Sequence, residues 1–161
     1  MYSKNDIEKI FLQVRNKSYN DLNSLSKLRI EKMGFSGYSS PFTGDVYINL
    51  DVINDNVYSK DAIIGTVAHE LAHQVSYRRR SFFGKVIFLW NYYLSLKKRR
   101  IVEDEADRIA IERGYGRELI VETKTTYRRF AKDKKMLIFI KKAYMSPNEI
   151  KQLIEKQKLK R

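Results

Sequence analysis

The sequence predicts an α+β fold, mostly helical with one small β-sheet. Three observations point to it. Apolar residues recur at helical spacing over most of the chain. One short run, Val46-Tyr47-Ile48-Asn49-Leu50, is β-branched and aromatic behind a Gly-Asp turn, the pattern of a strand. At 161 residues, 43% hydrophobic and 32% charged, the chain has the size and composition of one globular domain with a real core.

The elements follow in order. Residues 3–17 read as a helix: Ser3 is its cap, Asp6 stands three residues on, and Ile7, Ile10, Phe11 and Val14 form its apolar stripe. Residues 16–26 are polar and turn-rich. Residues 28–38 read as a strand broken by Met33-Gly34-Phe35, and residues 34–44 as a loop dense in Gly, Ser and Pro. The strand 46–50 follows, then a connector over 51–60. An edge strand there can bind an extended peptide by backbone pairing; a purely structural strand is the alternative.

Asp61 reads as the cap of the next helix, with Ile64, Val67, Ala68, Leu71 and Val75 as one apolar stripe. The opposite face carries His69-Glu70-Leu71-Ala72-His73, an H-E-x-x-H that uses both histidines of the chain. At i and i+4 the two imidazoles share a face and can converge on one metal ion. Glu70 sits beside that ion, placed to take a proton from an attacking water. A chance match on a solvated face is the alternative.

Residues 82–96, Phe82 to Leu96, are apolar nearly all round and lie between Arg78-Arg79-Arg80 and Lys97-Lys98-Arg99-Arg100. The run is short of the about 20 residues a membrane span needs. It reads first as a buried core helix; a membrane-interface helix and a self-association surface are the alternatives. Residues 99–113 form a helix stopped by Gly114. Helices over 117–132 and 135–144 follow. Ser146-Pro147-Asn148-Glu149 then starts a last helix with cap, first-turn proline and capping-box glutamate.

With no third His and no Cys, a third metal ligand has to be a carboxylate or a backbone group. Glu103 is the candidate, because its i+4 partner Asp107 can receive the N–H of a ligating imidazole. Glu105 has apolar Ile109 at that place. An acidic solvated patch answering Arg99, Arg100 and Arg108 is the alternative reading of the pair.

His69-Glu-x-x-His73 followed by Glu103-x-x-x-Asp107, within Glu103-Asp-Glu-Ala-Asp-Arg-Ile-Ala110, resembles the gluzincin metallopeptidases. The likeness is to the HtpX and CAAX-prenyl-endopeptidase type and their small soluble relatives, the minigluzincins, and covers roughly residues 44–116. It implies a zincin-like fold with a small sheet above a cleft and helices below. It implies one catalytic Zn²⁺ held by His69, His73 and Glu103, Glu70 as general base and acid, Asp107 orienting a ligating His, and Val46, Tyr47, Ile48, Asn49 and Leu50 as the substrate strand. Residues 1–78 would then form the upper part, 79–116 the third-ligand region and 117–161 a basic helical segment. The membrane-spanning helices of the larger relatives are missing. Many gluzincins stabilise the oxyanion with a His or Tyr; no spare His exists here, and Tyr127 and Arg128 are the candidates.

Charge adds further expectations. The chain is +13, with +1 over residues 1–60 and +12 over 61–161. The basic half suits nucleic acid, anionic lipid or an acidic substrate, or is only a solubilising surface. Residues 117–161 alone carry +9 and end in a helix without an evident core role, so a latent enzyme blocked by this segment is one expectation. The absence of cysteine and of an apolar leader predicts a soluble cytoplasmic protein with a peptide or protein substrate, in reach of peripheral membrane contact. The alternatives are a regulatory or nucleic-acid-associated protease and a catalytically idle metal-binding module.

Overall fold

The computed structural model describes residues 1–22, 26–55 and 57–159. Positions 23–25 of the turn-rich stretch, 56 of the connector and 160–161 of the last segment lie outside the described residues.

Local caps decide where the helices begin. Helix α1 (Lys4–Ser18) starts at Ser3, which closes a reciprocal capping box with Asp6. The sheet is mixed, with order β1-β3-β2. β1 (Leu28–Ile30) runs parallel to β3, and β2 (Gly37–Ser39) runs antiparallel to it. Residues 28–38 are therefore not one strand, and the expected loop 34–44 contains β2. β3 (Val46–Ile48) ends two residues earlier than expected. Asn49 turns its side chain onto the backbone N–H groups of Asp51 and Val52 and caps α2 (Leu50–Ile53), so the connector opens with a helical turn.

Helix α3 (Lys60–Arg78) carries the H-E-x-x-H motif. Its cap is Ser59, whose hydroxyl accepts from Ala62 N–H; Asp61 falls inside the first turn, where the helix dipole favours an acid. The expected division into one buried and one open face does not hold. α1 and the sheet cover one side, α5 and α6 the other, and Glu70 and His73 are buried along with the apolar stripe.

Helix α4 (Phe82–Leu94) forms where expected, but not in the core. Only Phe88 of it is buried, while Phe83 is 77% and Trp90 70% exposed. Of the three readings of residues 82–96, the core helix is therefore corrected: most of its outer side lies exposed.

Helix α5 (Leu96–Glu112) runs into Gly114, whose φ of 95° closes the C-terminus as only glycine does readily. Helices α6 (Gly116–Arg129), α7 (Lys134–Ala143) and α8 (Pro147–Lys158) complete the chain, α8 with the expected Ser146–Glu149 capping box. One hydrophobic cluster links Ile7, Phe11, Val46, Val67, Leu119 and Ile150. Ile150 is fully buried, which gives the last helix the core role that its sequence did not reveal.

The axis of this arrangement is α3 against α6. They touch at Gly65, where an added Cβ would lie 2.5 Å from the Glu118 carbonyl oxygen. A backbone atom cannot yield as a side chain does. Gly65→Ala is expected to lower stability by about 1–3 kcal/mol, read as an earlier denaturation midpoint; an unchanged midpoint would refute the close approach.

Candidate metal centre

Two helices bring the metal-ligand candidates together. His69 and His73 project from adjacent turns of α3, and Glu103 projects from α5. His69 Nε2 lies 3.0 Å from Glu103 Oε2 and 3.0 Å from His73 Nε2, and His73 Nε2 lies 3.3 Å from Glu103 Oε2. Glu103 is only 2% exposed.

The chemistry of these donors fits a cation. Asp107 Oδ1 is 2.8 Å from His69 Nδ1. A carboxylate only accepts, so His69 Nδ1–H donates to it and Nε2 is left with its lone pair toward the cluster. His69 Nε2, His73 Nε2 and Glu103 Oε2, one ligand atom from each residue, lie within 4.8 Å of one another. Tetrahedral zinc with ligand bonds of about 2.0–2.1 Å separates its donors by about 3.3 Å, close to the three distances seen. The cluster is a His₂Glu set suited to a single Zn²⁺.

The electrostatics say the same. Burial disfavours a charged His69 ring, yet the hydrogen bonds to Asp107 and Glu103 outweigh it and hold the pKa well above the usual imidazole value. Burial also pushes the Glu103 carboxyl up, but the His73 charge and the hydrogen bonds of both imidazoles prevail and hold it far below the ordinary carboxylate range. The site attracts positive charge, and proton and metal compete for the same lone pairs.

Neighbouring groups fix these ligands. Tyr92 of α4 donates its hydroxyl to Glu103 Oε1, which leaves Oε2 for the imidazoles. The His73 ring stacks on Tyr77, with centroids 5.7 Å apart. Glu70 points beside the cluster, and burial raises its pKa against the opposing pull of His73 and His69. Over it lies β2: Ser39 donates to the Glu70 carbonyl at 2.6 Å, and an added Cβ on Gly37 would sit 3.0 Å from Glu70 Oε1.

The cluster opens into a cleft of about 200 Å³. β2 forms one wall, the inner side of α4 another, and Met136, Phe139, Ile140 and Tyr144 at α7 a third. Glu122 of α6 also lines it, and burial raises its carboxyl to about 7. Two expectations fail here. β3 is the middle strand, with both edges already paired over Val46, Tyr47 and Ile48, while Asn49 and Leu50 belong to the start of α2; the edge strand at the cleft is β2. Tyr127 and Arg128 do not line the cleft, because α6 turns Glu122, Thr123, Thr126 and Arg129 toward it. Arg128 instead donates to Thr125, and Tyr127 lies beneath Lys141.

Sequence reasoning missed Tyr92, Gly37 and Ser39. Tyr92 had a partial signal, as one of two adjacent tyrosines in a largely apolar run. Gly37 and Ser39 read as turn residues and carried none.

Comparisons with protein-family models, with curated proteins and with solved structures found no match. The geometry itself is that of a metallopeptidase centre: His69, Glu70 and His73 with a distal Glu103 reproduce the H-E-x-x-H plus Glu arrangement of zincin catalytic sites. It is consistent with the gluzincin clan.

The purified protein is expected to hold one zinc per chain by metal analysis. In chelator competition Glu103→Ala should cost more affinity than Asp107→Ala or Tyr92→Phe, each of which should cost about 10–100-fold as the loss of an orienting partner does. Unchanged affinity in Glu103→Ala would remove that carboxylate from the ligand set.

Proposed function

We propose that the protein is a zinc-dependent endopeptidase of the gluzincin type, zincin-like in fold. The observation that carries this reading is the convergence of His69 Nε2, His73 Nε2 and Glu103 Oε2 beside the buried Glu70 carboxyl, on the wall of an open cleft. His69, His73 and Glu103 would hold the ion, and Asp107 would keep the His69 ring in the tautomer that binds it.

Zinc held by His69, His73 and Glu103 would lower the pKa of a bound water toward about 7 and would polarise the scissile carbonyl. Glu70 then has the proton work. Its carboxylate takes a proton from the attacking water and passes it to the leaving amine. Burial raises the Glu70 pKa above the ordinary carboxylate value, which makes the carboxylate a stronger base toward the water.

The substrate is a polypeptide in extended form. β2 takes the role expected of residues 46–50: it is the edge strand, it lines the cleft, and Ser39 ties it to the Glu70 backbone. Oxyanion donors would come from the same walls. Tyr144 lines the cleft, whereas Tyr92 gives its hydroxyl proton to Glu103 and Tyr127 and Arg128 lie elsewhere. A latent state finds its support in α7, which closes one side of the cleft, and not in α8, which is packed into the core.

Glu70→Gln is expected to abolish cleavage of an unfolded protein such as casein while zinc content stays at one per chain. Retained turnover in that variant would sink the mechanism. Gly37→Ala sets a methyl against the Glu70 side chain. It should lower kcat at unchanged zinc content, and a normal kcat would mean that β2 does not confine the base.

A further inference from the structure

Every exposed residue of α4 is apolar or aromatic. Phe82, Phe83, Val86, Ile87, Trp90 and Leu94 fall, at 3.6 residues per turn, on one continuous arc about 140° wide. The arc continues onto the neighbouring loop, where the exposed Phe42 ring packs against Phe82 at 5.6 Å. So much contiguous apolar surface marks a place where something docks.

The charge around the arc is as one-sided as its hydrophobicity. Residues 78–102 carry eight Lys and Arg and not one Asp or Glu. Arg80 and Arg100 are held by Glu105, Asp104 and Glu149 from outside this window, and the Arg99 guanidinium lies over the Tyr92 ring. Arg79, Lys97 and Lys98, at the two ends of the helix, are exposed and make no ion pair among the described residues.

We propose that α4 is a membrane-docking helix that rests in the headgroup region of an anionic phospholipid bilayer. An apolar arc with cations at both ends, and an indole on the arc itself, is what such an interface accepts. The helix has 13 residues, and no helix among the described residues is long and apolar enough to cross a membrane. It therefore lies on the surface, with the arc in the acyl boundary and Arg79, Lys97 and Lys98 among the phosphates. A second copy of the chain would cover the arc but would bring the same cations face to face. Nucleic acid would answer the cations and leave the arc in water. An anionic membrane satisfies both at once.

The inner side of the same helix gives this docking a consequence. Phe88, Leu89 and Tyr92 line the cleft, and Tyr92 holds Glu103. Docking through α4 sets the cleft beside the bilayer surface. If the peptidase reading holds, polypeptide segments that emerge from or lie along a membrane are the substrates brought to it. The docking itself does not rest on that reading.

Trp90 is the only tryptophan of the chain, so the unaltered protein reports its own docking. Phosphatidylcholine vesicles containing phosphatidylglycerol should shift Trp90 emission to the blue and carry the protein upward in flotation. Phosphatidylcholine alone should do so far less, and added salt should weaken the anionic case. Ile87→Glu and Phe83→Glu change exposed positions and should cut vesicle partitioning by roughly tenfold or more, the factor that burying one large side chain is worth. Glu70→Gln should bind vesicles as the unaltered protein does, so loss of peptidase activity and loss of docking are separate results. No emission shift with anionic vesicles overturns the proposal. So does equal partitioning of folded Ile87→Glu, or concentration-dependent dimerisation that Ile87→Glu abolishes while vesicles leave Trp90 unchanged.

Discussion

A carboxylate that is 2% exposed stands at the centre of this protein, and the structure around it is arranged to keep its charge tolerable. An unpaired buried charge costs several kcal/mol, and Glu103 avoids that through three partners from two other helices: His69 and His73 of α3, and Tyr92 of α4. The α3–α5 crossing is therefore fixed by electrostatics as well as by packing. If α5 slid by one turn, Ala106 or Asp107 would replace Glu103 at the imidazoles, and the His69 Nδ1 partner would be lost in the same step.

The rest of the fold holds that crossing in place. α6 packs so closely on α3 that only glycine fits at position 65. Tyr19 donates to the Ala68 carbonyl one residue before the first imidazole, and Ser39 donates to the carbonyl of Glu70. Backbone groups of a helix interior are normally already paired, so these extra bonds serve position more than stability. They hold the H-E-x-x-H turn from both sides while the cleft face stays open. The demand for an open cleft also explains α4. Its inner side is spent on Glu103 and the cleft wall, which leaves a broad apolar arc exposed among the described residues.

Much of this was legible in the chain because the signals are local. Ser3 with Asp6, and Ser146 with Pro147 and Glu149, fix helix starts through contacts three residues apart. His69, Glu70 and His73 fall on neighbouring turns by helix geometry alone, and Glu103 with Asp107 does the same on α5. What stayed hidden depends on distant partners. β2 is three residues of Gly, Tyr and Ser, strand-like only because Ile48, Tyr47 and Val46 lie alongside. The position of β3 in the middle of the sheet follows from β1 crossing to its far edge, which no run of residues encodes. Tyr127 and Arg128 had suitable chemistry on the wrong side of α6.

By itself, the amino-acid sequence determined that two helices would each present metal-binding groups on one face, because a 3.6-residue period places i and i+4 side chains together whatever the surroundings. It also determined that residues 82–94 would be a helix rich in large apolar groups. Only the tertiary structure decided that the two ligand faces meet within about 3 Å, that β2 and not β3 borders them, and that the apolar helix lies outside. These outcomes turn on which surface packs against which, and a hydrophobic run carries the same signal whether protein, lipid or water comes to cover it.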